Sequence, residues 1–392
     1  MTVTVISVLI ILVTIKTTQG KCTDSFATLC DSVFDVTRYG RKQWTNLIIQ
    51  TNQCDVTTAQ EILQSKTLEK CPNLEELYII ERLEYIENKA FQMLTNLAYL
   101  NLYKNTIKTI PKDMFSNLQN LYKLEIASNN IENIENGTFN NLPRLKTLNL
   151  ANNRLSSVEE DAMFDIKGIR KLILSGNRIT TIKPNVFASS LEILHLDNNL
   201  LTRLGDKTFS NLNHLKELSL SRNKLKKIQR HLFTGLGDIF KLDVSHNAVD
   251  TIDVKAFDDL HEMKLLQLAH NNLKQITAEM FPKNNVMLLQ SIRLDHNELS
   301  FLSKTVFVRL SSLRRISIGG NPWQCDCLQE IQLEMNNRNV NYTPCDYQHY
   351  FTGNHPTCMK YKNACIENVD LVEDNFLQMY NNALQSFSYD CP

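Results

Sequence analysis

The sequence is poor in glycine and has no excess of either charge. Only 11 of its 392 residues are glycine, and it contains no phosphate-cradling glycine loop, no G-x-S-x-G elbow and no H-E-x-x-H helix. Lysine plus arginine equals aspartate plus glutamate at 42 each, so the overall charge does not point to nucleic acid or to a membrane surface. We therefore predict a protein that is not an enzyme and uses no cofactor or metal.

Long apolar runs are also scarce. Residues 5–15 form an apolar run of 11, which is too short to span a bilayer but lies where the apolar region of a signal peptide belongs. Thr18 and Gly20 are small residues at the −3 and −1 positions of a cleavage site before Lys21. We predict a signal peptide over residues 1–20, no membrane span, no lipid-anchor tail and a secreted, extracellular protein.

All the cysteines lie near the two ends of the chain. Even numbers at both ends of an exported protein favour disulfide-bonded caps, and sequence alone allows three pairings in the first group and fifteen in the second. A zinc site near the C-terminal end is the alternative, disfavoured by irregular spacing. The two groups are Cys22, Cys30, Cys54 and Cys71, and Cys325, Cys327, Cys345, Cys358, Cys365 and Cys391.

An apolar pattern recurs through the middle of the chain. In residues 121–144 it is carried first by Leu121, Leu124, Ile126, Asn129 and Ile131, and the same order then begins again. Most steps are 24 residues long, with exceptions of 23, 22 and 26. Recurrence of the pattern in the same register through the chain is specific evidence for structural repeats, whereas a single copy would prove nothing. The units start at Leu74, Leu97, Leu121, Leu145, Ile169, Leu191, Leu215, Ile239, Met263, Leu289 and Leu313.

This pattern resembles that of leucine-rich repeats. Leu124 and Ile126 are two residues apart, which is strand spacing, so both side chains point to one face. An asparagine that follows each strand, from Asn105 to Asn321, can bond the backbone of its own and of the neighbouring turn. Only the first unit departs from this column, with Arg82. A second column runs from Phe91 to Phe307 and predicts stacked rings towards the outer side.

No unit can bury its own apolar edge, so the units must stack. Strands pack about 4.8 Å apart while the outer segments need more room, so the array must curve with its strands inside. We predict an α/β repeat solenoid, a right-handed curved leucine-rich-repeat horseshoe with parallel strands on the concave face. Its parts are the signal peptide 1–20, an N-terminal cysteine cap 21–73, repeats 74–320 and a C-terminal cysteine cap 321–392.

Both caps carry predicted elements. Residues 44–54 hold a β-rich run that could pair with the first repeat strand. Residues 329–336 have helical spacing, and apolar residues between 369 and 387 recur every three or four positions, which predicts a terminal amphipathic helix. That apolar stripe is too short for a coiled coil, so we predict none and leave the oligomeric state open.

The strand residues that face inwards form one surface, and tyrosines cluster in its first three units. Tyrosines on a rigid face are typical contact anchors, although scattered surface aromatics are an equally simple interpretation. Exposed apolar residues continue this surface farther along. The candidate binding residues are Tyr78, Tyr99, Tyr103, Tyr122, Lys123, Glu125, Lys171, Ile173, Ile193 and His195.

Two further features allow more than one interpretation. His246, His270 and His296 precede the asparagine in three successive units. This fits a pH sensor, an incidental metal site or simply an ordinary residue at this turn position. The seventh unit is rich in lysine and arginine. Such residues could bind an anionic partner, but they are also usual on a solvated flank. Asn136 and Asn341 begin N-x-T glycosylation sequons.

Asn321-Pro322-Trp323, with Cys325 and Cys327, is similar to the C-terminal cap of extracellular leucine-rich-repeat proteins such as Toll-type ectodomains, Slit-like proteins and matrix repeat proteins. The resemblance implies a short helix and later cysteines that bond back. The spread cysteines and terminal helix look most like secreted leucine-rich-repeat immune proteins of insects. Those proteins pair and capture complement-like factors through a long coiled coil, so here a relative without the coil is implied.

Two functions follow from this reading. The first is a secreted recognition module, in innate immunity, that binds a protein or microbial-surface ligand through the concave face. The alternative is a matrix or cell-surface interaction protein with a structural or adhesive role.

Overall fold

The computed structural model describes most of the repeat array and part of each cap. The described residues are 28–30, 46–50, 61–64, 67–80, 83–135, 137–139, 141–158, 166, 168–283, 286–343, 358, 365, 367, 376 and 378. The predicted signal peptide, most of the predicted terminal helix, and Cys22, Cys54, Arg82, Asn136, Phe164, Cys345 and Cys391 lie outside them.

Short strands dominate the described residues, and two short α-helices and a 3₁₀ helix, Ala278–Met280, lie towards the C-terminal end. The helices are α1 (Lys304–Arg309) and α2 (Cys325–Asn337). The strands are β1 (Thr28–Cys30), β2 (Asn46–Gln50), β3 (Glu61–Leu63), β4 (Glu76–Ile80), β5 (Leu83–Ile86), β6 (Tyr99–Asn101), β7 (Lys123–Glu125), β8 (Thr147–Asn149), β9 (Ser157–Val158), β10 (Lys171–Ile173), β11 (Thr181–Ile182), β12 (Ile193–His195), β13 (Glu217–Ser219), β14 (Lys227–Ile228), β15 (Lys241–Asp243), β16 (Thr251–Ile252), β17 (Leu265–Gln267), β18 (Ser291–Arg293), β19 (Arg315–Ser317) and β20 (Asn341–Thr343).

One sheet runs the length of the array. In the described part of the chain it has 14 strands in the order β1, β2, β4, β6, β7, β8, β10, β12, β13, β15, β17, β18, β19 and β20. All neighbours are parallel, and within the repeats equivalent residues pair, as Leu148 does with Leu172. Three two-stranded sheets, β3–β5, β9–β11 and β14–β16, lie beyond the main strands. The predicted parallel-strand solenoid is confirmed.

The apolar pattern forms one continuous core. All eleven predicted unit starts are buried, from Leu74 at 0 % exposure to Leu313 at 2 %. In the main sheet the middle residue of each three-residue strand from β6 to β19 is also buried, while most flanking residues are half-exposed, as in β8 and β10. Each unit therefore buries its leucines against its neighbours, which is why the stacked array and not the single unit is stable.

The asparagine column bonds the backbone between units. Asn177 is typical: its Oδ1 accepts the Leu155 N–H at 3.1 Å, and its Nδ2 donates to the carbonyls of Leu150 and Leu174, both at 3.0 Å. Leu155 and Leu150 belong to the preceding unit. Because these backbone groups are buried, the asparagine satisfies bonds that water cannot.

The phenylalanine column forms the predicted stack in two runs of three rings. Phe233, Phe257 and Phe281 are each at most 1 % exposed, and their rings lie 6.2 and 5.4 Å apart between centroids. Phe91, Phe115 and Phe139 stack in the same way at 6.3 and 5.9 Å. Aromatic pairs add about 0.5–1.5 kcal/mol each beyond the apolar area they bury.

The residue before each ladder asparagine has a left-handed backbone. From Lys104 to Gly320, φ at this position lies between 52° and 67°. The occupants are glycine, asparagine or residues without a β-branch, because β-branched side chains are strained there. This backbone turns the chain out of the strand and aligns the side chains of successive units in a column along the rim of the sheet.

The N-terminal cap covers the first repeat strand as the sequence predicts. β2 pairs in parallel with β4 over five residues, from Asn46 with Glu76 to Gln50 with Ile80. β1 then extends the sheet by pairing with β2. The apolar edge of the first repeat is thus protected by two more strands.

The C-terminal cap combines a helix with two disulfide bonds. Trp323 is 2 % exposed and its indole N–H donates to the Ile318 carbonyl at 2.9 Å. α2 follows at once, longer than the predicted helix over 329–336. Cys325 bonds Cys358, and Cys327 bonds Cys365, so these four cysteines hold no zinc and the zinc alternative is wrong for them. Cys71 is buried in the core, and Cys30 lies in β1.

β20 continues the sheet past the last repeat. Asn341 pairs with Arg315 and Thr343 with Ser317, in the register of the repeat strands. Asn341 has an exposed side chain in the column of Arg315. A glycan on this predicted sequon would therefore lie at the C-terminal end of the concave face.

Candidate functional site

The main sheet positions eight of the ten predicted binding residues. Each lies at the first or last position of a three-residue repeat strand or in β4, where its side chain points away from the core and is half-exposed. They occupy five strands: Tyr78 in β4, Tyr99 in β6, Lys123 and Glu125 in β7, Lys171 and Ile173 in β10, and Ile193 and His195 in β12. The strand periodicity therefore decides which residues share this face.

Tyr78 and Tyr99 form the centre of a first group. Their ring centroids lie 5.0 Å apart with an interplanar angle of 83°, an edge-to-face contact. The Tyr78 hydroxyl donates to Glu76 Oε2 at 3.1 Å, and the Tyr99 hydroxyl accepts from Asn101 Nδ2 at 3.2 Å. Both rings are thereby fixed before any ligand arrives, which lowers the entropic cost of binding.

Lys123 and Glu125 extend this group to the next strands. Lys123 Nζ lies 4.8 Å from the Tyr99 ring centroid and 3.0 Å from Glu125 Oε1. Asn149 Nδ2 in β8 donates to Glu125 Oε2 at 2.6 Å. The polar side chains of four neighbouring strands are therefore connected. We call Tyr78, Tyr99, Lys123 and Glu125 the tyrosine patch.

The protonation states of the tyrosine patch follow from burial and these partners. Burial raises the pKa of Tyr78, and the neighbouring Glu76 carboxylate raises it further. Burial also raises the pKa of Tyr99, against the opposing effect of Lys123. Burial alone would lower the pKa of Lys123, but its hydrogen bond and ion pair with Glu125 outweigh that and raise it. At neutral pH the patch thus presents phenol groups and an ammonium group.

The two remaining tyrosines lie on opposite rims of the sheet. Tyr103 follows β6 and is 43 % exposed, whereas Tyr122 precedes β7 and is 56 % exposed. Because Tyr99 pairs with Lys123, Tyr103 lies beyond the C-terminal end of the paired strands and Tyr122 before their N-terminal end. Tyr103 borders the tyrosine patch, and Tyr122 lies beyond the other end of its strands.

A second group lies two strands along, across β8. Lys171 pairs with Ile193 and Ile173 with His195, so the two isoleucines are diagonal neighbours on the face. His195 Nε2 lies 3.4 Å from Glu217 Oε1, and Lys241 Nζ lies 2.8 Å from the same oxygen. Burial alone would raise the pKa of Glu217, but Lys241 and His195 together lower it. This group offers apolar contact beside fixed charges.

Most charges on the concave face are paired with a neighbour of opposite sign. Lys123 pairs with Glu125, Lys241 with Glu217, and Arg293 with Asp295, which has a side-chain exposure of 0 %. A surface neutralised in this way suits a ligand with mixed polar and apolar groups better than a polyanion.

Sequence reasoning missed several residues that shape this face. Asn101, Asn149, Glu217 and Lys241 fix the predicted binding residues in place, and Asp295 holds Arg293. Their positions on the inward side could be read from the strand period, but side-chain pairing across strands could not.

Neither a cluster of metal ligands nor a membrane-spanning helix is found among the described residues. Within them no three His, Cys, Asp or Glu side chains come together in a way that could hold a metal ion. No helix there has the length and apolar character that crossing a bilayer requires. The basic side chains of the seventh unit are exposed, and two of its lysines are paired: Lys216 with Glu192 at 2.9 Å and Lys227 with Asp253 at 2.8 Å.

Comparison with protein families identifies the repeats. The family described as "Leucine rich repeat" matches residues 72–121, 119–179, 189–249 and 241–286, which together are more than half of the chain. No curated protein matches the sequence.

Solved structures share the fold at low sequence identity. The leucine-rich-repeat part of FLRT2, solved in a complex with Latrophilin 3 and Unc5D, has a TM-score of 0.63 at 21 % identity and covers 78 % of this chain and 91 % of its own. The Leptospira interrogans protein LIC12759 has a TM-score of 0.61 at 22 % identity, over 77 % and 84 %. Drosophila Toll, in complex with Spatzle, has a TM-score of 0.52 at 20 % identity, over 85 % and 57 %.

Proposed function

The chain belongs to the leucine-rich repeat family, and from this premise we propose that it is a secreted recognition protein of innate immunity that binds a protein or microbial-surface ligand through its concave face. Leucine-rich-repeat solenoids are protein-interaction scaffolds, because a curved array of parallel strands presents a wide concave surface. The disulfide-bonded C-terminal cap fits an oxidising, extracellular setting.

The tyrosine patch is the observation that carries the proposal. Its rings and charges are held in place by hydrogen bonds between strands, so little order has to be gained on binding. Tyrosine offers a large contact area at low conformational cost, and it is enriched among the residues that dominate interfaces. The exposed Tyr103 at the border adds a contact that no neighbouring ring covers in the described structure.

Two of the similar structures support a partner-binding role. FLRT2 and Toll were each solved bound to other proteins, and the Toll–Spatzle complex is described as a hub in development and innate immunity. The fold resemblance to Toll-type ectodomains is what connects this chain to immunity. The immune setting is part of our proposal and rests on that fold.

Affinity capture followed by a matched pair of variants tests the proposal. The full-length protein, immobilised, is used to capture components from the extracellular fluid of the source organism, and a captured component is then titrated against variants. The Tyr99→Ala, Tyr103→Ala double variant should lose at least about tenfold in affinity, or ~1.4 kcal/mol. Tyr85→Ala is the control, because Tyr85 is 44 % exposed but lies in β5, outside the main sheet.

Two results would overturn the assignment of the patch. One is equal affinity of the wild type and the double variant for every captured component. The other is an equal loss in Tyr85→Ala, since this would show that binding does not depend on the concave face. The melting temperature of Tyr85→Ala should match the wild type. That of the double variant should fall by no more than a few degrees, because the Tyr99 ring packs against Tyr78 but lies outside the apolar core.

A matrix or cell-surface role is the alternative, and the distribution of the protein separates the two. A free recognition protein stays in the soluble fraction of extracellular fluid. A structural or adhesive protein sediments with insoluble material or with cells and needs detergent or high salt for release.

A further inference from the structure

Three histidines form a continuous stack along the rim of the sheet. His246, His270 and His296 occupy the left-handed position before the ladder asparagine in units eight, nine and ten, with φ of 53°, 54° and 52°. Their ring centroids lie 4.1 and 4.3 Å apart, and both interplanar angles are 11°. The solenoid repeat sets this spacing, because each ring is carried at the same position of successive units.

The surrounding backbone holds the stack in place. The His246 N–H donates to the Ala269 carbonyl at 2.9 Å, the His270 N–H to the Asp295 carbonyl at 2.9 Å, and the His296 N–H to the Gly319 carbonyl at 2.8 Å. Gly320 comes next in the column, and a Cβ atom there would lie 2.6 Å from His296 Nδ1. Glycine at this position therefore makes room for the last ring of the stack.

The geometry favours proton binding over metal binding. Nearly parallel rings direct their in-plane nitrogen lone pairs side by side, whereas a metal ion needs lone pairs that converge on one point about 2.0–2.1 Å from each nitrogen. Proton uptake needs no convergence. Protonation does, however, place a positive charge on each ring next to another ring that takes up a proton in the same pH range.

The charges that face the stack give little compensation for those protons. Arg222 precedes His246 in the column and adds a fixed positive charge. The Asp295 carboxylate is fully buried and already accepts two hydrogen bonds from Arg293, at 3.1 and 3.2 Å. Asp243 Oδ1 accepts from the hydroxyl and the N–H of Ser245.

These surroundings lower the pKa of all three imidazoles. For each histidine burial is the largest cause, and other histidines of the stack and the arginines add to it, against the opposing effect of Asp295. The unfolded chain therefore takes up protons at a higher pH than the folded chain. Stability is fully present above the unfolded histidine pKa of about 6.5 and falls as the pH drops below it, through the lowered folded values.

We propose that the histidine stack is an acid-sensitive element that keeps units eight to eleven tightly packed at neutral pH and loosens them in a mildly acidic compartment. The three rings act together because each neighbour is in contact. The effect falls in the C-terminal half of the concave face, away from the tyrosine patch, so it does not depend on the proposed ligand site.

Substitution of the central ring tests the idea. His270→Asn breaks the stack while suiting the backbone, because asparagine already occupies this column at Asn152 and Asn198 with φ of 53° and 54°. His261→Asn is the control, since His261 is an exposed histidine outside the column. Melting temperatures of the full-length proteins are compared at about pH 7.5 and about pH 5.5, a range that brackets ordinary histidine titration.

The wild type and His261→Asn should lose more melting temperature on acidification than His270→Asn, by about 2–4 °C. An equal loss in the wild type and His270→Asn would overturn the proposal. NMR titration of Cε1-labelled histidine in the wild type decides the matter even if the variant fails to fold. His246, His270 and His296 should titrate below the ordinary histidine value of about 6.5, and titration of all three near that value would also overturn the proposal.

Discussion

Removal of one ladder asparagine should destabilise the array far more than its size suggests. In Asn177→Ala, the Leu155 N–H and the carbonyls of Leu150 and Leu174 lose a partner. Asn177 is 6 % exposed and the three leucines are at most 2 % exposed, so water cannot easily replace the amide.

The cost can be estimated from these three groups. The Leu155 N–H is left without an acceptor, which costs about 1–3 kcal/mol. The two carbonyls each lose one of two hydrogen bonds, at about 0.5–1 kcal/mol each, because Leu150 still accepts from Asn153 Nδ2 and Leu174 from Asn199 Nδ2. The sum is then about 2–5 kcal/mol in the free energy of unfolding. Near 3 kcal/mol, the Tm falls by about 6–12 °C on the scale of a large domain.

The matched control is Asn120→Ala. Asn120 makes two hydrogen bonds, one to the Thr95 carbonyl and one from Arg144, each at 2.9 Å, and both are exposed to solvent. Its loss should change stability by no more than about 0.5 kcal/mol. Thermal and denaturant unfolding followed by circular dichroism measure both variants. If Asn177→Ala unfolds like Asn120→Ala, the buried backbone does not depend on the side-chain amide and the reasoning fails.

Two other substitutions probe the outer stack and the C-terminal cap. Phe257→Ala should lower the free energy of unfolding, measured by calorimetry, by about 3–5 kcal/mol, because the ring is fully buried between Phe233 and Phe281. The control Phe240→Ala removes a ring that is 48 % exposed and should lower it by less than about 1 kcal/mol. Equal losses in the two variants would contradict the packing argument. Joint replacement of Cys327 and Cys365 by serine removes a disulfide bond that closes a loop of 38 residues, and it should lower the free energy of unfolding by about 2–5 kcal/mol. An unchanged Tm would show that this bond does not stabilise the cap.

The sequence predicts the repeat architecture well because the physics is local and repeated. Leu124 and Ile126 each recur in other units with the same spacing, and burial of both follows from the strand period. Asn177 could be assigned its role because an amide at the end of a strand has few other uses. The pairing of β2 with β4 followed from a β-rich run placed next to an open edge.

Features that depend on contacts between distant residues were harder to predict. The opposite rims of Tyr103 and Tyr122 become clear only from the bounds of β6 and β7, because the repeat pattern does not mark where these short strands begin and end. The bonds Cys325–Cys358 and Cys327–Cys365 were two members of a large set of pairings. β20 has only three residues and no repeat pattern, so only its register with β19 identifies it.

Uniform register has a consequence for how such a chain can change length. Strands of successive units pair at equivalent positions, as Leu218 does with Leu194 and with Leu242. Excision of one whole internal unit would bring together two surfaces that already match, and duplication of a unit would do the same. Units cannot be removed or added at the ends in the same way, because the outermost described strands, β1 and β20, come from outside the repeats. The arc can therefore grow or shrink from within, in steps of one unit, while its two ends stay as they are.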